Sequence, residues 1–312
     1  MNAPAAGTRK KGFFSQQDYF APLPIPTGEK PKDVMNAVWR KNDIFIDVGN
    51  FNIGSGVMVL WPMIVMCLSV AYFTGDIYDF MLGAYMTGVP ILMLIYMLYR
   101  PTPLPIRFNR QRREVCVPRK DSEYWIVPWE TVTAASAQSS SVSQAGRNTS
   151  GMLFIGFDNP DPHAEEDNKH FYWGFNCGGN EAAMSMWECM RSFMEIGPHA
   201  LPQTNDFEGS RGSLKGRGII WGTCCEYAKG IWLHLREGEF FKAAWLFIGI
   251  FIFGGPIVFM LQTWKLSPPP TFDHPDIIEW SKPLPPEQWA KRSPELELAI
   301  ARREAELAAQ AG

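Results

Sequence analysis

The chain has 312 residues, of which 46% are apolar and 20% charged, with a net charge of -3 and a mean hydropathy of -0.12. These averages suit a soluble protein of one or two domains and exclude full disorder, a collagen-like repeat and a disulfide scaffold. The small net charge excludes a generally basic protein, so no nucleic-acid partner is expected.

The distribution of charge tells more than its sum. Residues 1–43 are polar and Pro-containing and read as a flexible N-terminal segment. No acidic or basic residue occurs from Val48 to Gly75, and Val57 to Phe73 is almost continuously apolar, enough for one crossing of a hydrocarbon core roughly 30 Å thick. A second charge-free run, Phe80 to Tyr99, follows a short acidic connection containing Asp76 and Asp79. Residues 44–100 therefore read as a transmembrane helical hairpin rather than two buried helices of a soluble protein. A third run, within 241–265, carries Trp245 and Trp264 near its ends. On one unbroken helix they would stand about 28 Å apart and anchor the two membrane interfaces. Gly254, Gly255 and Pro256 inside it leave a kink or a re-entrant loop open.

Basic residues orient the spans. Arg40 and Lys41 precede the first, and Arg100, Arg107, Arg110, Arg112 and Arg113 follow the second, whereas the hairpin loop has none. The expected arrangement is a multi-pass protein of the bacterial inner membrane, with its N-terminus and residues 101–240 cytoplasmic. Arg211, Lys215 and Arg217 lead toward the third run, and a full third crossing would put residues 265–312 outside. The first 40 residues contain no cleavable signal pattern, so the first span is expected to act as the targeting signal.

Between the apolar runs the pattern turns extended. Pro105 to Asn109 and Glu114 to Val117 flank the basic turn Arg110 to Arg113, and further strands are expected at Tyr124–Val127, Thr131–Ala134, Met152–Phe157 and His170–Phe175. Ser136 to Ser150 reads as a mobile loop or a weak edge strand, and Asp158 to Asp167 as a solvated loop. Ala183, Met186, Trp187, Met190 and Phe193 then fall on one helical face, with Asn180 a plausible N-cap and Gly197-Pro198 a stop. Residues 101–200 are thus expected to be a small antiparallel β domain closed by one helix, with Trp125 and Trp129 in its core. Residues 201–240 read as a linker and interfacial amphipathic segment, and 266–312 as a Pro-rich tail ending in a short helix.

The segments RFNRQRREVCV (107–117) and YWIVPWETV (124–132), two strands and a Trp-bearing helix, all after a membrane hairpin, resemble an uncharacterised proteobacterial family. Its members are inner-membrane proteins with a pleckstrin-homology-like cytoplasmic domain, often encoded beside type VI secretion effectors. The resemblance covers about residues 40–265. It implies a membrane-tethered protein that binds a protein partner, as an immunity or accessory factor for a secreted toxin, and it carries no catalytic residues.

The fold class expected is therefore membrane α-helical plus α+β. Arg107, Arg110, Arg112 and Arg113 are the candidate contacts to anionic lipid or partner; retention of positive charge on the cytoplasmic side is the simpler explanation of them. An anionic-lipid-binding scaffold and an enzyme or transporter of another type are the alternatives. No nucleotide-binding glycine loop or hydrolase elbow occurs, and Glu165, Glu166 and Asp167 lie in a polar stretch. His163, His170, Cys177 and the adjacent Cys224 and Cys225 lack zinc-module spacing. No catalytic residue, cofactor or metal is expected.

Overall fold

A computed structural model describes residues 5–12, 15–51, 53–120, 123–143, 146–202 and 219–311. The strands are β1 (Arg9–Lys11), β2 (Ser15–Ala21), β3 (Val38–Lys41), β4 (Phe45–Val48), β5 (Ile106–Asn109), β6 (Glu114–Pro118), β7 (Tyr124–Pro128), β8 (Thr133–Ser143), β9 (Gly146–Asp158) and β10 (His170–Asn176). The α-helices are α1 (Ile53–Thr74), α2 (Ile77–Tyr99), α3 (Asn180–Glu195), α4 (Ile219–Arg236), α5 (Phe240–Phe251), α6 (Gly255–Leu266), α7 (Pro275–Trp280) and α8 (Pro294–Ala311). They form two compact units. The first joins Met1–Asn50, Leu104–Asn205 and Thr271–Gly312; the second joins Phe51–Pro103 and Asp206–Pro270.

In the first unit all strand pairs are antiparallel and make two sheets, ordered β1-β2-β8-β9-β10 and β3-β4-β5-β6-β7. β4 pairs with β5, Asp47 opposite Arg107, although residues 49–105 lie between them. Period-two alternation turns Phe108, Val115, Val127, Leu153, Ile155 and Phe157 into one core. The apolar stripe of α3 seals it, with Ala183, Met186, Trp187, Met190 and Phe193 all fully buried. Trp129 stacks on Trp187 at 5.2 Å and meets Phe108 edge-on at 5.9 Å, geometries that the ring quadrupoles favour. Gly151 permits this closure: a Cβ there would sit 2.3 Å from the backbone of Gly179.

Three expectations change here. The N-terminal segment is not a free tail, since β1, β2 and β3 all pair within sheets. Its β2 strand was hidden because the inward position beside Phe20 is Asp18, a polar residue whose carboxylate receives Asn180 Nδ2 at 2.9 Å and Gln16 Nε2 at 2.7 Å. Asn180 itself is the first helical residue rather than the cap, and its side chain bonds Ser136 and Asp18 instead. The Ser-rich stretch is likewise no edge: β8 lies between β2 and β9.

The tail also belongs to this unit. Phe272, Ile277 and Trp280 pack on Cys116 of β6, while Leu296 and Ile300 of α8 are buried. His274 Nδ1 accepts from the Asp276 amide and Pro275 occupies the first turn, which starts α7. Farther on, Arg303 Nε donates to the Pro26 carbonyl at 3.2 Å, and Leu307 covers Gly28.

In the second unit, α1 and α2 are each long and apolar enough to cross a membrane. Gly75, left-handed at φ +65°, ends α1, and Asp76 caps α2 by accepting from the Tyr78 amide at 2.9 Å. Gly83 lets the helices approach, because a Cβ there would lie 2.8 Å from Cys67 Cβ. The third run is not one helix: α5 and α6 meet at a 65° bend, where Gly254 is left-handed and Pro256 opens α6. The separation of Trp245 and Trp264 expected on an unbroken helix therefore does not apply, although both indoles are exposed. Of the segment expected as an interfacial linker, 203–218, with Arg211, Lys215 and Arg217, lie outside the described residues.

One buried carboxylate in the first unit is under-satisfied. Asp33 Oδ1 accepts from the amides of Ala37 and Val38 at 2.8 and 3.2 Å, but its buried Oδ2 has no partner among the described residues. Burial pushes its pKa up to about 6, against the lowering effect of those amides and of Lys41. A raised carboxylate pKa means that the folded state holds the proton longer, so stability falls as pH rises from about 4 to about 6. Asp33→Asn keeps the acceptor and removes the charge. Thermal unfolding of the purified chain is expected to show the variant more stable at pH 7.5 by up to about 3 kcal/mol, with the gain vanishing at pH 4.

Candidate interaction surface

The four arginines of the basic turn do not form one exposed patch. Arg107 and Arg113 are buried, and Arg110 and Arg112 are half-buried. Strand register explains Arg107: it faces Asp47 across β4 and β5, with Nε and Nη2 donating to the carboxylate at 2.6 and 2.8 Å. Arg40 adds a second ion pair to Asp47. The guanidinium of Arg107 lies over the ring of Phe45 at 3.8 Å and near that of Phe272 at 5.1 Å, and donates to Ser281 Oγ at 2.8 Å. Arg112 Nε donates to the Trp280 carbonyl at 2.9 Å; Arg110 donates to the Ile196 carbonyl and approaches the Trp289 ring. The tail thus covers the turn that was expected to contact headgroups. That expectation is corrected for Arg107 and Arg113, whose charges are spent inside the domain.

Arg113 closes the turn in the left-handed region, at φ +52°. Its guanidinium reaches both oxygens of Glu195, at 2.9 and 3.2 Å, and Glu130 at 3.0 Å. Glu195 also accepts from Trp129 Nε1 at 2.8 Å and from Arg292 Nε at 2.5 Å, and Arg292 donates again to its backbone carbonyl. One carboxylate at the end of α3 therefore ties together the β5–β6 turn, the core tryptophan and the tail. Burial pushes its pKa up, but the donors from Arg113 and Trp129 and the charges of Arg113 and Arg292 outweigh that and hold it below the usual carboxylate range.

On the outer face of the first sheet, several apolar side chains are exposed among the described residues. Cross-strand pairing lines up Tyr19, Ala135, Phe154 and Gly174 in one row, and Gln17, Ala137, Met152 and Asn176 in the next. Met152, Phe154 and Tyr172 are exposed. A Cβ on Gly174 would lie 3.4 Å from the Phe154 ring, and one on Gly156 would lie 2.9 Å from that of Tyr172. The rings thus stand beside glycines that leave them room on the face. β10 is the last strand of its sheet, and one of its carbonyls, that of Gly174, accepts from Asn50 Nδ2 at 2.7 Å. The sequence carried the signal in the alternation of Met152, Phe154 and Tyr172, but only with β8 placed inside the sheet does it define a surface.

The remaining candidates are dispersed. His170 Nδ1 is 2.7 Å from Asp158, and burial pushes the Cys177 thiol up to about 11 and that of Cys116 to about 12, leaving both protonated. Glu166 pairs with Lys169 on the surface. Sequence spacing missed one group: ligand atoms of His234, Glu237 and Glu239 lie within 4.8 Å of one another at the turn between α4 and α5. Lys242 Nζ already holds Glu239 at 2.6 Å, which puts a cation where a metal would sit. The described residues form a mixed α+β protein with two helices long and apolar enough to cross a membrane. Comparison with protein-family models, with curated proteins and with solved structures gives no match to the chain.

Glu195→Ala removes the one acceptor shared by Arg113, Trp129 and Arg292. It is expected to destabilise the domain by about 3–5 kcal/mol, the usual cost of stranding a buried cation, and to make the tail protease-sensitive near Arg292. In the wild type the depressed pKa gives the opposite pH dependence to Asp33: stability is present above pH 4.5 and lost as the carboxylate is protonated below it. Limited proteolysis and thermal unfolding at pH 7 and pH 3.5 check both points.

Proposed function

We propose that the chain is a non-enzymatic inner-membrane protein whose strand domain binds a protein partner through the outer face of β8, β9 and β10. The observation that carries this reading is the exposed apolar row Met152, Phe154 and Tyr172 on a domain whose other sheet is covered by its own tail. An apolar surface rimmed by polar groups such as Gln17, Asn176 and His170 is a typical protein-docking face. The succession of antiparallel strands closed by α3 supports the pleckstrin-homology-like reading of residues 101–200. The tail's contacts to Arg107 and Arg112, and the burial of Arg113 against Glu195 and Glu130, argue against the alternative of a lipid-binding scaffold.

The partner class proposed is a secreted antibacterial toxin or a component of its type VI secretion apparatus, with this chain as immunity or accessory factor. A strain lacking the gene is expected to become sensitive to a toxin encoded beside it. Complementation by the full-length double variant Phe154→Ser, Tyr172→Ser should fail to restore survival while membrane levels stay normal. Unimpaired survival of the deletion strain sinks the immunity role; full protection by the variant moves the contact away from this face.

A further inference from the structure

We infer that residues 219–266 form a second membrane hairpin, in which α4 crosses in one direction and the bent pair α5–α6 crosses back, so that the exposed aromatic face of α4 meets lipid acyl chains. The inference rests on the reading of α1 and α2 as membrane spans. Its first support is connectivity. The first unit contains residues on both sides of each excursion: the chain leaves it at Asn50 and is back by Leu104, then leaves at Asn205 and is back by Thr271. The pieces are interlocked by Asp47 with Arg107, Trp280 Nε1 with Glu114 and Arg292 with Glu195. A polar domain held together in this way lies on one face of a bilayer, so each excursion crosses an even number of times. The α1–α2 hairpin satisfies that. A lone third span does not, because it would place the tail opposite the sheets on which it packs.

The second support is the geometry inside the second unit. Lys265 Nζ donates to the Leu98 carbonyl at 2.7 Å, which sets the end of α6 beside the end of α2, the end from which the chain returns to the domain. The start of α6 is deeper: Gly254 abuts Trp61, more than two turns into α1, where a Cβ would come within 2.9 Å of the indole. α5 and α6 meet at a 65° bend, and the proposed hairpin has the pair as one broken span. A turn at Glu237, Gly238 and Glu239 joins α4 to α5; Gly230 of α4 then meets Leu246 of α5, and Tyr227, one turn earlier in α4, reaches Gly255 at the start of α6, so the bent pair runs back along α4. With 18 residues, α4 is about 27 Å long, close to the hydrocarbon thickness, although it is less apolar than α1 and α2 and is not by composition alone a spanning helix.

The surface chemistry of α4 agrees. Trp221, Trp232, Leu233 and Leu235 are exposed, which a lipid environment accommodates and water does not. Glu226 and Lys229, three residues apart, are the charged residues within the span; a lysine stem is long enough to carry its ammonium toward an interface. Arg236, Glu237, Glu239 and Lys242 cluster at the turn, where the far aqueous face takes them.

Cysteine accessibility tests this on the full-length chain in sealed cells and in inside-out vesicles, with a membrane-impermeant maleimide and the wild type as background. Asp76→Cys, Glu237→Cys, Asp161→Cys and Glu304→Cys report in turn the first hairpin, the proposed second one, the domain and the tail. The expected result is labelling of Asp76→Cys and Glu237→Cys from one side only, and of Asp161→Cys and Glu304→Cys from the other only. Glu237→Cys labelled with the domain overturns the second hairpin while leaving the first intact. Glu304→Cys labelled opposite to Asp161→Cys overturns the even count. Asp76→Cys labelled with Asp161→Cys removes the membrane reading on which the inference rests.

Discussion

The buried carboxylate of Glu195 is the point on which the domain's assembly turns. It sits at the end of α3, where the helix has just finished sealing the core, and receives Arg113, Trp129 and Arg292. Each donor arrives from a different part of the chain. Burying a charge is costly unless every lone pair is met, and here the partners come from a strand turn, a core aromatic and the tail. Removing any one leaves the buried carboxylate with a lone pair unmet. A second knot, Asp47 with Arg40 and Arg107, holds the sheet where the membrane hairpin interrupts it. Both use arginine, whose planar fork meets two carboxylate oxygens at once.

How much of this was legible in the sequence depended on the kind of signal. The α1–α2 hairpin was plain because absence of charge over some twenty residues has few other meanings. Strands β5, β6, β7, β9 and β10 could be located because apolar residues alternate between turn residues, and α3 because its stripe is clean. What escaped was whatever polar residues build. β2 turns Asp18 inward and β8 turns Ser136 inward, so neither reads as half-buried, and both look like loop until their partners across the sheet are known. The basic turn misled for a related reason. Four arginines near a membrane look like a headgroup site, while the acids that neutralise them are distant in sequence: Asp47 precedes the hairpin, and Glu195 and the covering tail come much later. Pairing across such separations cannot be read from spacing.

The same distinction applies to the proposed contact face. Met152, Phe154 and Tyr172 were visible as strand residues, but strand periodicity alone does not say which face is covered. The tail occupies the other sheet through Phe272, Ile277 and Trp280, while these three side chains are exposed among the described residues. The glycines opposite the rings matter as well: a side chain at Gly174 or Gly156 would crowd Phe154 or Tyr172. An apolar face binds by shape over area, with the rim supplying orientation.

The pairing of β4 with β5 across an intervening membrane hairpin has a consequence for synthesis. A ribosome delivers β4 long before β5, and delivers two very apolar helices in between. The half-made sheet, β3 paired with β4, must therefore wait with the β5 side of β4 open while α1 and α2 are placed. The wait is longest for the N-terminal strands, because residues near Pro26 and Gly28 meet Arg303 and Leu307 only when the last helix has emerged. Contacts this distant are slow to form. Damage to the tail would uncover Cys116 on the second sheet and take Arg292 from Glu195, while Arg107 and Arg113 would keep Asp47 and Glu195.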